Sequence, residues 1–165
     1  MTRRRALAAR KKRTAFEACY VLVGPTHWCA YCGEPADTID HTVPVSFVCG
    51  HFRFASRHRF QKVQACRECN TLLGDRIFAT FTERKAFLAE KYERRYREYL
   101  EAGWWTSEEI EELGRGLQAM VRQFDANMLL TKRRLVLLGD PGWPGKDVKD
   151  ALFPEALEDH DRAAR

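Results

Sequence analysis

The sequence has no uninterrupted apolar run that approaches the roughly twenty residues a membrane-spanning helix requires. Its basic start is not followed by the apolar stretch of a secretory signal either. We therefore expect a soluble, cytoplasmic protein rather than a membrane-spanning or secreted one. An Arg-rich start without acids is also compatible with an organelle transit peptide, but no other feature of the sequence supports an organelle.

Acidic residues are absent from the first thirteen positions, which contain seven cations: Arg3, Arg4, Arg5, Arg10, Lys11, Lys12 and Arg13. The net charge of the whole chain is +5, so this segment accounts for all of the positive balance. A flexible cationic arm attracts polyphosphate through counterion release and long-range steering. A solvated tail without a partner is equally compatible with a basic run alone. We predict a flexible arm over residues 1–13, in which Arg3, Arg4, Arg5, Lys11 and Lys12 contact nucleic acid.

Six cysteines in a chain without an export signal favour metal binding or free thiols over a disulfide framework. Four of them form two C-x-x-C pairs with 33 residues between the pairs: Cys29, Cys32, Cys66 and Cys69. Four thiolates suit a closed tetrahedral zinc site, and Gly33 fits the tight turn after the first pair. Such a site has no open coordination position, so we predict a structural zinc ion. Redox-active cysteines or two unrelated buried pairs are the alternative.

The first half of the chain has short and weak secondary-structure patterns. The apolar spacing from Thr14 to Val23 predicts a helix that ends at Gly24 and Pro25. Residues 28–75 are predicted to be irregular, with β-prone pieces at Thr38–Val45 and Lys62–Gln64 that offer too little alternation for a large sheet. We assign residues 14–80 to one zinc-stabilised core.

The second half of the chain has helical periodicity. Apolar residues at three-to-four spacing predict a helix from Phe81 to Gly103, and a capping box at Thr106–Glu109 begins a long helix that ends at Gly139. Residues 81–139 are therefore predicted to form an antiparallel helical hairpin. The stripe over 106–138 could be a dimer seam, although packing within the chain is favoured. Residues 140–165 form an acidic tail, expected to be loosely docked or disordered.

Asp40 and His41 lie side by side between the two cysteine pairs, in a β-prone piece. Adjacent strand residues point to opposite faces, so Asp40 can turn to a metal ion while His41 points toward a substrate. An isolated Asp-His pair is more often a surface pair or a core histidine, but the position between two zinc-binding pairs favours a functional one.

Three stretches together resemble the zinc-containing form of the HNH endonuclease family. They are Cys29-Ala30-Tyr31-Cys32-Gly33, Ile39-Asp40-His41-Thr42-Val43-Pro44 and Ala65-Cys66-Arg67-Glu68-Cys69-Asn70, in the order and approximate spacing that the family uses. The continuation from Asn70 to Asp75 is similar to small phage-type HNH proteins. The resemblance implies an α+β fold with a zinc-stabilised ββα-metal core and flanking helices, mostly helical overall. It also implies a bacterial or phage-infected host cell.

Carried over position by position, the resemblance implies that His41 is the general base that activates water. It implies that Asp40 and Asn70 hold one hard divalent ion, magnesium or manganese, to which carboxylate and amide oxygens are suited. The family's middle asparagine, which pins the loop that orients the histidine, falls at Gln61. A glutamine amide could replace it with a longer reach, or His51 or His58 could supply a side chain.

Cations interleaved with phenylalanines surround these residues and suit phosphate contact and base stacking: Arg57, Arg59, Lys62 and Arg67. The sequence hypothesis is thus a metal-dependent endonuclease or nickase that hydrolyses DNA. The alternatives are a non-catalytic zinc-containing DNA-binding or assembly module of the same fold, and a protein-interaction module that uses the long helical stripe.

Overall fold

The computed structural model describes residues 16–51 and 57–153. This part of the chain has an α+β fold that combines a small three-stranded sheet with helices. About half of its residues are helical. The predicted basic arm, residues 1–13, lies outside the described residues. None of the helices in the described ranges is long and apolar enough to cross a membrane.

The sheet consists of β1 (Tyr20–Val23), β2 (Thr38–His41) and β3 (Phe60–Ala65). The strand order is β1-β3-β2, with β1 parallel and β2 antiparallel to the central β3. The two predicted β-prone pieces are therefore confirmed as β2 and β3, and the sheet is small, as expected.

The predicted helix over Thr14–Val23 is wrong, because its second half is β1. In the described part of that range only Phe16 and Glu17 are helical. Tyr20 to Val23 contains an aromatic and two β-branched residues, which fit a pleated surface, and it pairs with β3. The amide of Phe60 donates to the carbonyl of Cys19 at 2.8 Å and begins this pairing. A long-range partner thus overrode the local helical spacing.

Six helices follow in the described ranges. They are α1 (Val45–Gly50), α2 (Arg67–Leu73), α3 (Phe81–Arg95), α4 (Arg97–Glu101), α5 (Ser107–Glu111) and α6 (Arg115–Gly139). The first two lie in the segment that was predicted to be irregular. The capping box at Thr106 is confirmed, with Glu109 as its second member.

The long helices are shorter than predicted, because each is interrupted once. The first breaks at Tyr96, between α3 and α4, and the second breaks between α5 and α6, where Gly114 is the N-cap of α6. α3 and α6 pack against each other, as the hairpin requires. The C-terminal half of α6 buries Met128, Thr131 and Leu138, whereas Leu117 and Met120 in its first half are exposed. The dimer seam stays a prediction.

The expectation of a loosely docked tail is wrong for residues 140–153. The Nζ atom of Lys85 donates to the carbonyls of Asp140 and Trp143 at 2.6 and 2.9 Å. The amide of Phe81 donates to the carbonyl of Asp150 at 2.7 Å, and Leu152 is buried in the core. Backbone hydrogen bonds and a buried leucine therefore fix this segment; residues 154–165 lie outside the described part.

Candidate metal centre and candidate active site

The four predicted cysteines lie together at one end of the sheet. Their sulfur atoms are all within 4.8 Å of one another; Cys29, Cys32 and Cys69 are buried, and Cys66 is 9% exposed. The Sγ atoms of Cys32 and Cys66 are 3.7 Å apart. Among the described residues no other group of three or more His, Cys, Asp or Glu side chains is placed to hold a metal ion. The cluster could therefore hold a structural zinc ion.

Local backbone geometry shapes each cysteine pair. After the first pair, Gly33 adopts a φ of 71° and its amide donates to the carbonyl of Cys29 at 3.0 Å. A Cβ at this position would also collide with the side chain of Leu137, so glycine is required there. In the second pair, Cys66 is the N-cap of α2, and its sulfur accepts from the amide of Cys69 at 3.5 Å.

The four thiols of the cluster influence one another's ionisation. Hydrogen bonds from Cys29 and Cys32 hold the pKa of Cys66 far below its ordinary value, whereas hydrogen bonds to Cys29 and Cys32 raise the pKa of Cys69. Ionising one thiol thus makes it harder to ionise its neighbours. A bound zinc ion would stabilise the four sulfurs as thiolates together.

The cluster is tied to the helical hairpin by a polar network around Glu68. Its carboxylate accepts hydrogen bonds from the hydroxyls of Tyr92 and Tyr96 and pairs with Arg134 at 3.0 Å. Arg134 also pairs with Glu34, next to the first cysteine pair, at 3.5 Å. The hydroxyl of Tyr92 lies 3.5 Å from the sulfur of Cys69. These contacts fix α3 and α6 against the cysteine cluster.

Asp40 has a different environment from the predicted one. Its carboxylate is buried, with 3% of the residue exposed, and its Oδ2 atom lies 2.7 Å from an Nη atom of the fully buried Arg84. The hydroxyl of Tyr31, which lies between Cys29 and Cys32, donates to the same oxygen at 2.5 Å. Arg84 also donates to the carbonyl of Thr42 at 2.8 Å. Asp40 is therefore the acid of a buried ion pair.

His41 points to the opposite side of β2 and opens into a cavity of about 630 Å³. Its Nε2 atom lies 3.0 Å from Oε1 of Glu17, and its side chain is 22% exposed. The ring of Tyr20 meets the imidazole edge-on at 4.5 Å. The cavity is lined by Glu17, His27, Ala36, Asp37, Thr38, Ile39, His41, Lys62 and Gln64. The predicted opposite orientation of Asp40 and His41 is thus confirmed, with His41 on the accessible side.

Asn70 lies on α2, which packs against β2. Its Nδ2 atom donates to Oγ1 of Thr38 at 3.2 Å and to the carbonyl of Ile39 at 3.3 Å. The structure therefore brings Asn70 to the strand that carries Asp40 and His41, with its amide nitrogen turned toward that strand.

The amide of Gln61, for which the resemblance implied an orienting role, is hydrogen-bonded to Lys149. Its side chain is only 8% exposed, donates to the carbonyl of Lys149 and accepts from the amide of Lys149, both at 2.7 Å. Both ends of the amide are thus used by the docked C-terminal segment. Neither His51, which stacks on Phe47 at 4.4 Å, nor His58 lines the cavity.

The predicted nucleic-acid contacts are distributed unevenly. Lys62 lines the cavity directly opposite His41 in the β2–β3 register. Arg67 is mostly exposed and pairs at 3.2 Å with Asp37, which is part of the cavity wall. Arg57 and Arg59 are exposed just before β3 and do not line the cavity. The predicted contacts at Arg3, Arg4, Arg5, Lys11 and Lys12 lie outside the described residues.

Sequence reasoning missed Glu17, which contacts both His41 and Lys62. Its Oε2 atom accepts from Nζ of Lys62 at 2.8 Å, and this hydrogen bond holds the pKa of Glu17 below its ordinary value. The three residues come from distant parts of the chain, and the predicted helix over 14–23 gave Glu17 no partner. Its position as the first acid after the basic arm is the one signal that the sequence carries.

No family model matches the chain, and no curated protein or solved structure matches it either. The resemblance to HNH endonucleases therefore depends on the motifs themselves and on how the fold arranges them.

Proposed function

We propose that this protein is a zinc-stabilised HNH-type endonuclease that hydrolyses phosphodiester bonds in DNA, with His41 as the general base. The observation that carries the proposal is the position of His41, which opens into a cavity beside Lys62. The order of elements supports it too. β2 and the antiparallel β3, which α1 separates in the chain, are followed by α2, and the cysteine pairs bracket the two strands.

The chemistry follows from an accessible imidazole next to cations. A neutral imidazole accepts a proton readily near neutral pH. In the proposed reaction His41 takes a proton from a water molecule, and the water oxygen forms a bond to phosphorus. The bond between phosphorus and the 3′ oxygen breaks, and the departing alkoxide is protonated by solvent. Lys62 and Arg67 reduce the negative charge on the phosphate.

A magnesium or manganese ion on Asp40 and Asn70, which the resemblance implies, would stabilise charge on the phosphate and the departing oxygen. The described arrangement does not fit such an ion. The guanidinium of Arg84 already lies 2.7 Å from the Asp40 carboxylate, and Asn70 turns its amide nitrogen toward β2. We therefore assign no step to a divalent ion, and the metal dependence of cleavage decides whether one is required.

A second proposal is a non-catalytic DNA-binding or assembly module of the same fold. The closure of Asp40 by Arg84 and Tyr31 favours it, because a buried ion pair stabilises structure without contributing to hydrolysis. The two proposals differ in what they require of His41, which a binding module does not need as a base.

Cleavage of supercoiled plasmid DNA tests the proposal. Zinc-loaded wild type and His41→Ala are compared with added magnesium, manganese or EDTA, and bound zinc is measured in each sample because a chelator can also remove zinc. Wild type is expected to nick or linearise the plasmid. His41→Ala is expected to be slower by about 100-fold or more, the contribution of a general base.

The matched control is His51→Ala, which removes the same side chain at an exposed position away from the cavity. It is expected to cleave like wild type. If folded, zinc-loaded wild type cuts under no metal condition and His41→Ala binds DNA with unchanged affinity, the binding-module proposal replaces the nuclease.

A further inference from the structure

The two ring nitrogens of His41 have different surroundings. Nε2 lies 3.0 Å from the Glu17 carboxylate. No hydrogen-bond partner of Nδ1 is found among residues 16–51 and 57–153. A carboxylate accepts hydrogen bonds and donates none, so a neutral imidazole that keeps this contact carries its proton on Nε2. The lone pair of Nδ1 is then available for a proton from water.

The fold delivers Glu17 to this position through β1. Parallel pairing fixes Tyr20 opposite Phe60, and a turn closed by the hydrogen bond from the Cys19 amide to the Phe16 carbonyl at 2.9 Å precedes the strand. Glu17 lies within that turn. Its side chain therefore reaches the same face of the sheet as His41 although 24 positions separate them in the chain.

Lys62 holds the second oxygen of the Glu17 carboxylate at 2.8 Å. The two contacts use both carboxylate oxygens, so they limit the rotation of the carboxylate. The hydrogen bond from Lys62 also keeps the pKa of Glu17 low, which leaves the group ionised and able to accept at neutral pH. In the series Lys62–Glu17–His41, each side chain thus fixes the orientation of the next.

The residue that the family resemblance implied for this task is committed elsewhere, because Gln61 binds Lys149 through both ends of its amide. An orienting group for His41 must therefore come from another element. Glu17 is a suitable one in geometry and in charge, since a carboxylate also stabilises the imidazolium that forms when the base accepts a proton.

We propose that Glu17 is the positioning residue of the active site, and that it directs Nδ1 of His41 toward the water that attacks phosphorus. This inference rests on the proposed nuclease function. Glu17 acts through His41. The orientation of the imidazole can be measured in the folded protein without any substrate, and therefore independently of cleavage.

The orientation is tested by two-bond ¹H–¹⁵N NMR of the full zinc-loaded chain, labelled at histidine, at about two pH units above the ordinary histidine pKa of about 6.5. His41 is assigned by the loss of its signals in His41→Ala. Wild type is expected to show the Nε2–H form. In Glu17→Ala the ratio of Nδ1–H to Nε2–H should rise about tenfold or more, because a charge-assisted hydrogen bond is lost. Glu17→Gln has one accepting oxygen for which Lys62 and His41 compete, so its ratio should lie between those of wild type and Glu17→Ala.

Glu90→Ala is the matched control, because Glu90 is an exposed acid that pairs with Arg94 on α3, away from the cavity. It should leave the His41 signals unchanged. An unchanged ratio in Glu17→Ala, with wild-type zinc content and folding, overturns the positioning role whatever the cleavage assay shows.

Steady-state cleavage then separates positioning from mere structure. Glu17→Ala should lose about 10- to 100-fold in kcat with little change in KM, because a misplaced base slows chemistry and leaves binding intact. Glu17→Gln should have a kcat between those of Glu17→Ala and wild type, because it keeps one accepting oxygen. Suppose that the NMR ratio changes in Glu17→Ala but the wild-type protein cuts no DNA. The assignment of Nδ1 as the base and the proposed function are then overturned, while the contact between Glu17 and His41 stands. A rise in KM with an unchanged kcat in Glu17→Ala overturns the positioning role and leaves the proposed function intact.

Discussion

The two faces of β2 and β3 differ in how their polar groups are satisfied. On the inner face, Asp40 lies in a dry environment where Arg84 and Tyr31 bind one of its oxygens. On the cavity face, His41 and Lys62 share Glu17, and each is partly exposed. The chain thus places two neighbouring ionisable residues in opposite environments, one closed and one open.

The difference between the two faces indicates that the inner face contributes to stability and the cavity face to chemistry. A buried ion pair is costly to break, because removal of one partner leaves an uncompensated charge away from water. A partly exposed ion pair contributes little to stability, since water and salt screen it. The inner face is therefore suited to hold the fold together, and the cavity face keeps groups that can bind and react. The following predictions test this division, from the largest effect to the smallest.

Disruption of the four-cysteine cluster should have the largest effect. Tyr31 lies between Cys29 and Cys32 and donates to Asp40, so the cysteine cluster supports the inner face directly. Zinc binding contributes on the order of 10 kcal/mol to small zinc domains. Cys69→Ser should therefore bind less than one zinc ion per chain, and its thermal unfolding monitored by circular dichroism should lose cooperativity.

Cys49→Ser is the matched control, because Cys49 is exposed and lies outside the cluster. It should keep one zinc ion per chain and the wild-type melting temperature. Full zinc binding by Cys69→Ser would show that the four sulfurs do not act as one site.

The next effect concerns the ion pair itself. Arg84→Met retains much of the side-chain volume but leaves the carboxylate of Asp40 buried without a counter-charge. We expect a loss of about 3–5 kcal/mol in the free energy of unfolding, measured with urea. The double variant Asp40→Asn, Arg84→Met should recover part of this loss, since no uncompensated charge remains. Equal losses in both proteins would mean that packing of Arg84, rather than its charge, supports the inner face.

Patterns that depend on nearby residues were predictable from the sequence. Each C-x-x-C pair, the turn at Gly33 and the capping box at Thr106 needs only a few consecutive positions. The opposite orientation of Asp40 and His41 followed from the alternation of a single strand. These features were predicted because the physical cause and its effect lie close together along the chain.

The remaining features depend on partners that are distant in sequence. β1 had helical spacing, yet its pairing with β3 decided its structure. Gln61 was assigned to the active site by its position in a motif, whereas the docked segment at Lys149 binds its amide. Arg84 binds Asp40 on the inner face, and Glu17 binds His41 on the cavity face. Both lie outside the sequence motifs that include β2. Long-range contacts of this kind have no signature in a single sequence.

The smallest expected effect is on the cavity face, where Lys62→Met removes the partner of Glu17. Glu17 is 39% exposed, so we expect a loss below about 1 kcal/mol at neutral pH. Because Lys62 lowers the pKa of Glu17 from its ordinary 4.5, this contribution is present above about pH 4.5 and disappears as the carboxylate is protonated. Urea unfolding of wild type and Lys62→Met should therefore differ at pH 7 and converge at about pH 3. A loss of several kcal/mol that persists at about pH 3 would mean that the cavity face is as closed as the inner face, and the division between the two faces would not hold.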